Sequence, residues 1–377
     1  MYKTYKFRLY PNKEQEILIS KTFGCVRFVY NHYLEKCKEN NYKNAFALAR
    51  DIPNLCLEYE FLSEVDSCAL RCSVFNLDDA YKNFFSKRSS YPVFKNKFSR
   101  QSYRTSCIRS NYKGKQYSNI KVDLESRTIK LPKFSPMKIR GYRCLKKFEE
   151  RIINATVSKE KYGKYYVSVV VEEPDIVTTK KVVPRSIVGI DLGVKDLVIT
   201  SYGEKYSNPK VIEKYEKKIK YLQRELSRRK PGSNNYGKTK RKLAKVHSKV
   251  SNARKHNIIN IVNNLVKDSD IIVSEKLNVK GMSQNHNLAK TILDASFNKV
   301  CMMLNWKCQL LGKYYYQVDT FFPSSKTCNR CGMKTDKTND LGVREWVCES
   351  CGTKHDRDVN ASINIMFEGV KLHYSKC

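Results

Sequence analysis

Two cysteine pairs near the end of the sequence constrain its fold more than any other feature. Cys328 and Cys331 form one C-x2-C pair, and Cys348 and Cys351 form a second after sixteen intervening residues. Four thiolates in paired knuckles give zinc a closed tetrahedral shell, and the glycine that follows each pair permits the tight turns required. The spacing therefore predicts one structural zinc ion in a ribbon over residues 326–352. Iron, or redox exchange between the pairs, is the alternative.

The positive charge of the chain indicates its class of partner. Its 377 residues include 72 Lys and Arg against 37 Asp and Glu, a formal net charge of +35. Dispersed cations of this kind bind polyanions with release of counterions, so nucleic acid is the expected partner and an anionic membrane surface the alternative. The sequence has no long apolar run and no signal-peptide core at its start. We therefore expect a cytoplasmic, nucleoid-associated protein with no membrane partner.

Two segments carry most of the excess charge. Residues 82–115 contain ten Lys or Arg and no acid, interleaved with aromatic residues, a pattern typical of phosphate contacts combined with base stacking. Residues 210–255 contain seventeen Lys or Arg and three Glu, and a Pro-Gly-Ser-Asn-Asn break suggests a basic helical hairpin. A solvated surface with buried aromatics is the alternative for both. With the N-terminal strand, the candidate nucleic-acid contacts are Lys6, Arg8, Phe84, Phe85, Lys87, Arg88, Tyr91, Lys95, Lys97, Arg100, Tyr103, Arg104, Arg228, Arg229, Lys238, Lys240 and Arg241.

The order of apolar patterns predicts the architecture. A strand over residues 1–10 precedes a helical region that reaches about residue 88, and further strands follow between 116 and 183. Pro184 marks a boundary. The elements expected beyond it are three strands, the basic hairpin, a helix near 252–268, a strand at 271–275, a helix near 288–312 and a strand at 314–320. This order is the one expected of an RNase H-like α/β domain.

Three acidic residues are candidate metal ligands. Asp191 and Glu275 each end an apolar run, and Asp358 lies in an acidic motif directly after the ribbon. Carboxylate oxygens at strand ends are suited to two Mg2+ ions that hydrolyse a phosphodiester. Each residue also has an ordinary interpretation, as a turn, a surface charge or a helix cap. The spacing leaves open whether the three meet.

Several stretches, in order along nearly the whole chain, resemble the TnpB proteins of bacterial insertion sequences, relatives of the type V CRISPR effectors. The resembling stretches are Tyr5-Lys6-Phe7-Arg8-Leu9-Tyr10-Pro11, Phe84-Phe85, Tyr91-Pro92-Val93-Phe94-Lys95, Gly189-Ile190-Asp191-Leu192-Gly193-Val194, Glu275-Lys276-Leu277-Asn278-Val279-Lys280-Gly281-Met282, Ser324-Ser325-Lys326-Thr327-Cys328 and Asp356-Arg357-Asp358-Val359-Asn360-Ala361. The departure is Lys276, where many relatives carry an acid.

The resemblance implies a multidomain α+β fold. Its parts would be a wedge β-barrel from residues 1–10 and 106–183, a helical recognition lobe over 11–105, a RuvC-like nuclease domain with an RNase H-like fold from 184–325 and 353–377, and the zinc ribbon as a target nucleic-acid-binding module inserted over 326–352.

The resemblance also implies an RNA-guided DNA endonuclease encoded by a transposable element. The protein would bind a guide RNA from the transposon end and cut double-stranded DNA next to a short adjacent motif. Asp191, Glu275 and Asp358 would be the catalytic triad that holds two Mg2+ ions. A guided binder without catalysis, acting as a repressor, and a transposase are the alternatives.

Overall fold

The computed structural model describes residues 2–39, 42, 44–112, 115–141, 151–172, 183–284, 286–336, 338, 340 and 342–375. The chain divides into two compact units, Met1–Ile176 and Val177–Cys377. Parts of the predicted 106–183 segment, namely 113–114, 142–150 and 173–182, lie outside the described residues.

The first unit is built around an antiparallel sheet of seven strands. The strands of this sheet are β1 (Tyr2–Tyr10), β2 (Gln101–Ser106), β5 (Lys121–Asp123), β6 (Thr128–Lys130), β7 (Met137–Arg140), β8 (Arg151–Lys159) and β9 (Tyr165–Glu172). A separate hairpin is formed by β3 (Arg109–Tyr112) and β4 (Lys115–Ser118). The strand order is β2-β8-β9-β1-β7-β6-β5. The N-terminal strand β1 therefore lies inside the sheet, between β9 and β7.

The helices of this unit are inserted between β1 and β2. They are α1 (Lys13–Glu39), α2 (Ala45–Arg50), α3 (Ile52–Glu58), a 3-10 helix (Glu60–Glu64) and α4 (Ser67–Phe85). Alternate residues of β9 are buried, as expected for a strand with one face on the core. Those residues join α1 and α4 in one apolar core, so the sheet and the inserted helices fold as one body.

The second unit contains a mixed sheet of five strands. Its elements are β10 (Ile187–Asp191), β11 (Asp196–Thr200), β12 (Lys205–Ser207), α5 (Val211–Ser227), α6 (Asn234–Asp268), β13 (Ile271–Glu275), α7 (Val279–Met282), α8 (His286–Ala295), α9 (Phe297–Leu310), β14 (Tyr314–Val318), β15 (Glu345–Val347), β16 (Lys354–Asp356) and α10 (Arg357–Tyr374). The strand order is β12-β11-β10-β13-β14. The neighbours β10, β13 and β14 are parallel, whereas β11 and β12 pair antiparallel.

Helices cover both faces of this sheet. Ile272 of β13 packs into a core with α6 and α9, while Ile271 and Val273 pack with Ile365 of α10. The apolar run of β13 is continuous because a central parallel strand buries both faces. The sheet is therefore the middle layer between α10 and the pair α6 and α9.

Two helix predictions were wrong in detail. The second helix of the basic hairpin and the helix near 252–268 are one 35-residue helix, α6. The helix expected over 288–312 is broken at Ser296, whose φ of 57° is left-handed, so α8 and α9 are separate. No helix within the described part of the chain is long and apolar enough to cross a bilayer.

Candidate active site

Two of the three candidate carboxylates end neighbouring parallel strands. Ile190 of β10 pairs in register with Ser274 of β13, so Asp191 and Glu275 follow side by side. Their carboxyl groups share a hydrogen bond. Burial, followed by the charges of Glu275 and Asp358, raises the pKa of Asp191 well above its ordinary value. Burial also raises the pKa of Glu275. The metal-free site therefore holds a proton between these two groups more readily than two free carboxylates would.

The third carboxylate is brought to the sheet by close packing of α10. A Cβ atom at Gly189 would overlap the backbone of Ser362 and Met366, and one at Gly369 would overlap the side chain of Val273. Only glycine permits this approach of helix to strand. Asp358 lies in the first turn of α10, and its charge acts on Asp191. Asp358 thus lies close enough to the end of β10 for its charge to act on Asp191.

Two basic residues that sequence reasoning missed bind the acidic motif. Arg344 Nη1 lies 3.0 Å from Asp358 Oδ2, and Lys205 Nζ lies 2.6 Å from Asp356 Oδ2. Asp356 also caps α10 by accepting from the N–H of Asp358 at 3.0 Å. Asp358 is therefore held by a ribbon cation, whereas Asp191 and Glu275 hold each other. Nothing distinguishes Arg344 or Lys205 in the sequence from other basic residues.

Replacement of Asp191 by asparagine should stabilise the metal-free protein at neutral pH. A carboxyl group whose pKa is raised on folding costs no stability at a pH below its ordinary pKa of 3.8. As the pH rises from there through the raised pKa, the group destabilises the fold, because the folded state binds the proton more tightly than the unfolded state. In a chelator at about pH 7.5 the variant should melt higher, by roughly 2–4 °C for each kcal/mol of repulsion removed. The gain should shrink towards about pH 4. Calorimetry at both pH values checks this; a lower melting temperature for the variant at neutral pH would contradict it.

The four cysteines converge as the spacing predicted. Their sulfur atoms all lie within 4.8 Å of one another. Among the described residues, this is the group of at least three His, Cys, Asp or Glu side chains whose ligand atoms could hold one metal ion. The antiparallel pair β15–β16 supports the second knuckle. The hydroxyl of Thr353 lowers the pKa of Cys351 to about 6, whereas burial raises that of Cys328 to about 11. Crowded sulfurs, two of them buried, are suited to a bound cation, because the cation keeps all four as thiolates.

A histidine contacts the cysteine cluster. His355 is buried; its Nε2 lies 3.0 Å from Cys328 Sγ, and its ring lies 4.6 Å from that of Trp346. His355 directly precedes the acidic motif, but its spacing from the cysteines gave no signal of this contact.

Most of the candidate nucleic-acid contacts lie on the surface. The exposed residues are Lys6, Phe85, Lys87, Arg88, Tyr91, Lys97, Arg100, Arg228, Lys238, Lys240 and Arg241. The partly exposed ones are Arg8, Phe84, Lys95, Arg104 and Arg229. Phe85 stacks with the buried Tyr81, and Phe84 contacts Phe85 and meets the ring of Tyr91 edge-on, so a supported aromatic patch lies next to Lys87 and Arg88 in the chain.

Three predicted contacts have other partners. Tyr103 is only 3% exposed and packs against Phe23, so a stacking contact with a base is excluded in this conformation. Lys95 lies over the ring of Tyr30, and burial lowers its pKa to about 8. Arg229 pairs with Glu225.

Comparison with known families agrees with this arrangement. Residues 167–286 match the IS605 OrfB family, described as "Probable transposase", and residues 297–365 match the "Cas12f1-like, TNB domain" family. A protein of Streptomyces pristinaespiralis, named "Putative RNA-guided DNA endonuclease", is 35% identical over 98% of this chain and 89% of its own length. The chain belongs to the TnpB family.

Other relatives extend the match. The protein InsQ of Escherichia coli K12, also named "Putative RNA-guided DNA endonuclease", is 30% identical to this TnpB-family chain over 97% of the chain and 92% of InsQ. The TnpB-like protein L79 of Acanthamoeba polyphaga mimivirus is 31% identical over 50% of the chain. Residues 1–45 match a family described as "Helix-turn-helix domain", but there the structure has β1 followed by the single 27-residue helix α1.

Solved structures share the fold of this TnpB-family chain. The protein in a Cas12f1–sgRNA–target DNA complex superimposes with a TM-score of 0.61, over 97% of this chain and 98% of its own, at 14% identity. The mini-RNA-guided endonuclease CRISPR-Cas_phi3 gives a TM-score of 0.52 over 98% and 92%, at 10% identity. At such identities the agreement establishes a common multidomain architecture.

Proposed function

We propose that this protein is an RNA-guided DNA endonuclease of an insertion sequence. The observation that carries the proposal is the partly buried, hydrogen-bonded pair Asp191–Glu275, with the charge of Asp358 acting on Asp191, in a chain of net charge +35. The names of the two relatives that match over nearly the whole chain support the same activity. Three carboxylates in one site favour a catalytic protein over the guided repressor considered above.

The carboxylate site fits divalent metal. Asp191, Glu275 and Asp358 offer hard oxygen ligands. Burial raises the pKa of the first two, and the neighbouring acids add to the rise at Asp191, so a bound cation would offset the cost of ionising them. Mg2+ bound there would activate water and stabilise the leaving 3′ oxygen of a phosphodiester. The residues' own contribution is to hold these oxygens on rigid strand ends and on the first turn of a packed helix.

The parts of the proposed nuclease follow from this site. The five-stranded sheet with its helices would be the RuvC-like, RNase H-like domain (184–325 and 353–377), and the cysteine cluster, holding zinc, the inserted target-binding module (326–352). The seven-stranded sheet would be the wedge barrel and the inserted helices the recognition lobe. The exposed candidate contacts would hold guide RNA and target DNA through phosphates, because pairing with the guide supplies the sequence choice.

The proposal is tested by the RNA that copurifies with the protein. Sequencing this RNA identifies the guide and hence a matching DNA target. We expect the purified complex to cut that DNA in Mg2+, with a dependence on the sequence next to the target. Intact DNA over a library of adjacent sequences, or cutting that ignores the guide, would overturn the proposal.

The exposed ring of Phe85 should contribute to RNA binding. Phe85 is 62% exposed and supported by other rings beside basic residues. Base stacking on an aromatic ring is worth about 1–3 kcal/mol, so Phe85→Ala should weaken binding about 5- to 150-fold. Fluorescence polarisation with the copurified RNA, at one salt concentration, measures this.

Phe46→Ala is the matched control for Phe85. Phe46 is 69% exposed and packs on Phe75 of α4, outside the basic segment 82–115. Equal losses in the two variants would show that the aromatic patch at Phe85 has no special role.

A further inference from the structure

One buried asparagine joins the first cysteine knuckle to the helix that carries Asp358. Asn360 is 1% exposed. Its Oδ1 accepts from the N–H of Asn329 at 2.9 Å, and its Nδ2 donates to the carbonyl of Thr327 at 2.8 Å. These two residues flank Cys328 in the chain. Both the acceptor and the donor of the Asn360 side-chain amide therefore bond to the backbone on either side of Cys328.

A second asparagine repeats the contact one turn further along α10. Asn364 Nδ2 donates to the carbonyl of Ser324 at 2.8 Å and to that of Thr327 at 2.6 Å. Asn364 lies further from Asp358 along the helix than Asn360 does, so Asn360 is the contact nearest the carboxylate. The first turn of α10 is thus clamped to the knuckle directly behind Asp358.

Asp358 needs such a clamp for an electrostatic reason. Its charge acts on Asp191, which shares a hydrogen bond with Glu275, and like charges repel one another. The first turn of a helix is also where its backbone hydrogen bonds are fewest and fraying is easiest. Contacts that anchor this turn therefore decide how closely Asp358 stays to the other two ligands.

We propose that Asn360 is a positioning residue, which fixes Asp358 relative to Asp191 and Glu275 by tying the start of α10 to the first cysteine knuckle. The zinc ribbon then acts on the carboxylate site through this amide, in addition to any contact of its own with nucleic acid. The inference rests on the proposed function, because it concerns the geometry of the proposed Mg2+ site.

The test measures Mn2+ affinity and ribbon integrity separately in the full-length protein. Asn360→Ala removes both hydrogen bonds, and Asn360→Asp removes the donor while keeping the acceptor. Mn2+ titration followed by electron paramagnetic resonance reports the carboxylate site, and zinc content with the absorption spectrum of the Co2+-substituted ribbon reports the cysteines. We expect both variants to keep one zinc and an unchanged Co2+ spectrum, and to bind Mn2+ about tenfold more weakly.

Two controls separate the possible failures. Arg330→Ala alters the same knuckle by removing the hydrogen bond from Arg330 Nη1 to Thr353 Oγ1, which is 3.3 Å long and lies within the ribbon and its flank, and it should leave Mn2+ affinity unchanged. Wild-type Mn2+ affinity in both Asn360 variants would overturn the inference. Loss of zinc in both would overturn it too, because Asn360 would then serve only to build the ribbon. If Asp191→Ala also leaves Mn2+ affinity unchanged, the carboxylate site fails, and with it the proposed function.

Discussion

Replacement of Asp191 by alanine is expected to lower DNA cleavage by at least about 100- to 1000-fold. Asp191 is the carboxylate most perturbed by burial and by its two acidic neighbours, so its loss removes the centre of the proposed Mg2+ site. Asp191 ends β10 and belongs to neither of the basic segments, 82–115 and 210–255. Binding of the guide RNA and of matched DNA should therefore change little.

Single-turnover cleavage of the matched DNA, with protein loaded with its copurified RNA, measures this effect. Fluorescence polarisation of the same DNA measures binding. Glu204→Gln is the matched control. Glu204 lies at the end of the β10–β11 pair that is remote from Asp191, in the turn before β12, where its carbonyl accepts a hydrogen bond from the N–H of Thr200. We expect its cleavage to stay within about twofold of wild type, since surface substitutions change folding by less than about 0.5 kcal/mol.

Two results would count against the proposed nuclease. Cleavage by Asp191→Ala near the wild-type rate would exclude the carboxylate site as the catalytic centre. An unchanged biological effect in cells, with binding intact, would favour the guided repressor instead.

The central strands could be predicted from the sequence because their signal is local. Residues 187–191 and 271–275 are apolar runs that end in an acid, and they form the parallel neighbours β10 and β13. Strands that are buried on both faces and alternate with helices have few other ways to pack. The convergence of Asp191 and Glu275 follows from that register.

The remaining features depend on contacts between distant parts of the chain. The alternation of β2 turns Tyr103 and Thr105 inwards and Arg104 outwards, a pattern that the surrounding charge obscured. The partners of Asp358 and Cys328, namely Arg344 and His355, become neighbours only when the ribbon folds onto α10. Composition and spacing contain no information about such pairs.

Replacement of Cys348 by serine is expected to remove the metal and unfold the ribbon. The apolar cluster of the ribbon is small, with Trp346 and two cysteines as its buried members and Val343 and Cys351 packed against them. A core of this size cannot compensate the conformational entropy of its loops, so metal binding, worth about 10–16 kcal/mol in zinc-finger peptides, has to supply the stability. Cys348 is a better target than Cys328, since the nearby His355 Nε2 could replace the lost sulfur of Cys328.

Elemental analysis should find one zinc per wild-type chain and about tenfold less in the variant. Limited proteolysis should cut the variant within 326–352 while the rest of the chain survives. Cleavage of DNA should fall with the zinc, because the knuckle anchors the turn that holds Asp358. Cys56 is a partly exposed thiol of the first unit. The Cys56→Ser variant is therefore the control, and it should retain zinc and activity. Iron in the wild-type protein would show that the bound metal is iron and not zinc. A stable, active Cys348→Ser protein without metal would show that the ribbon folds without a metal ion.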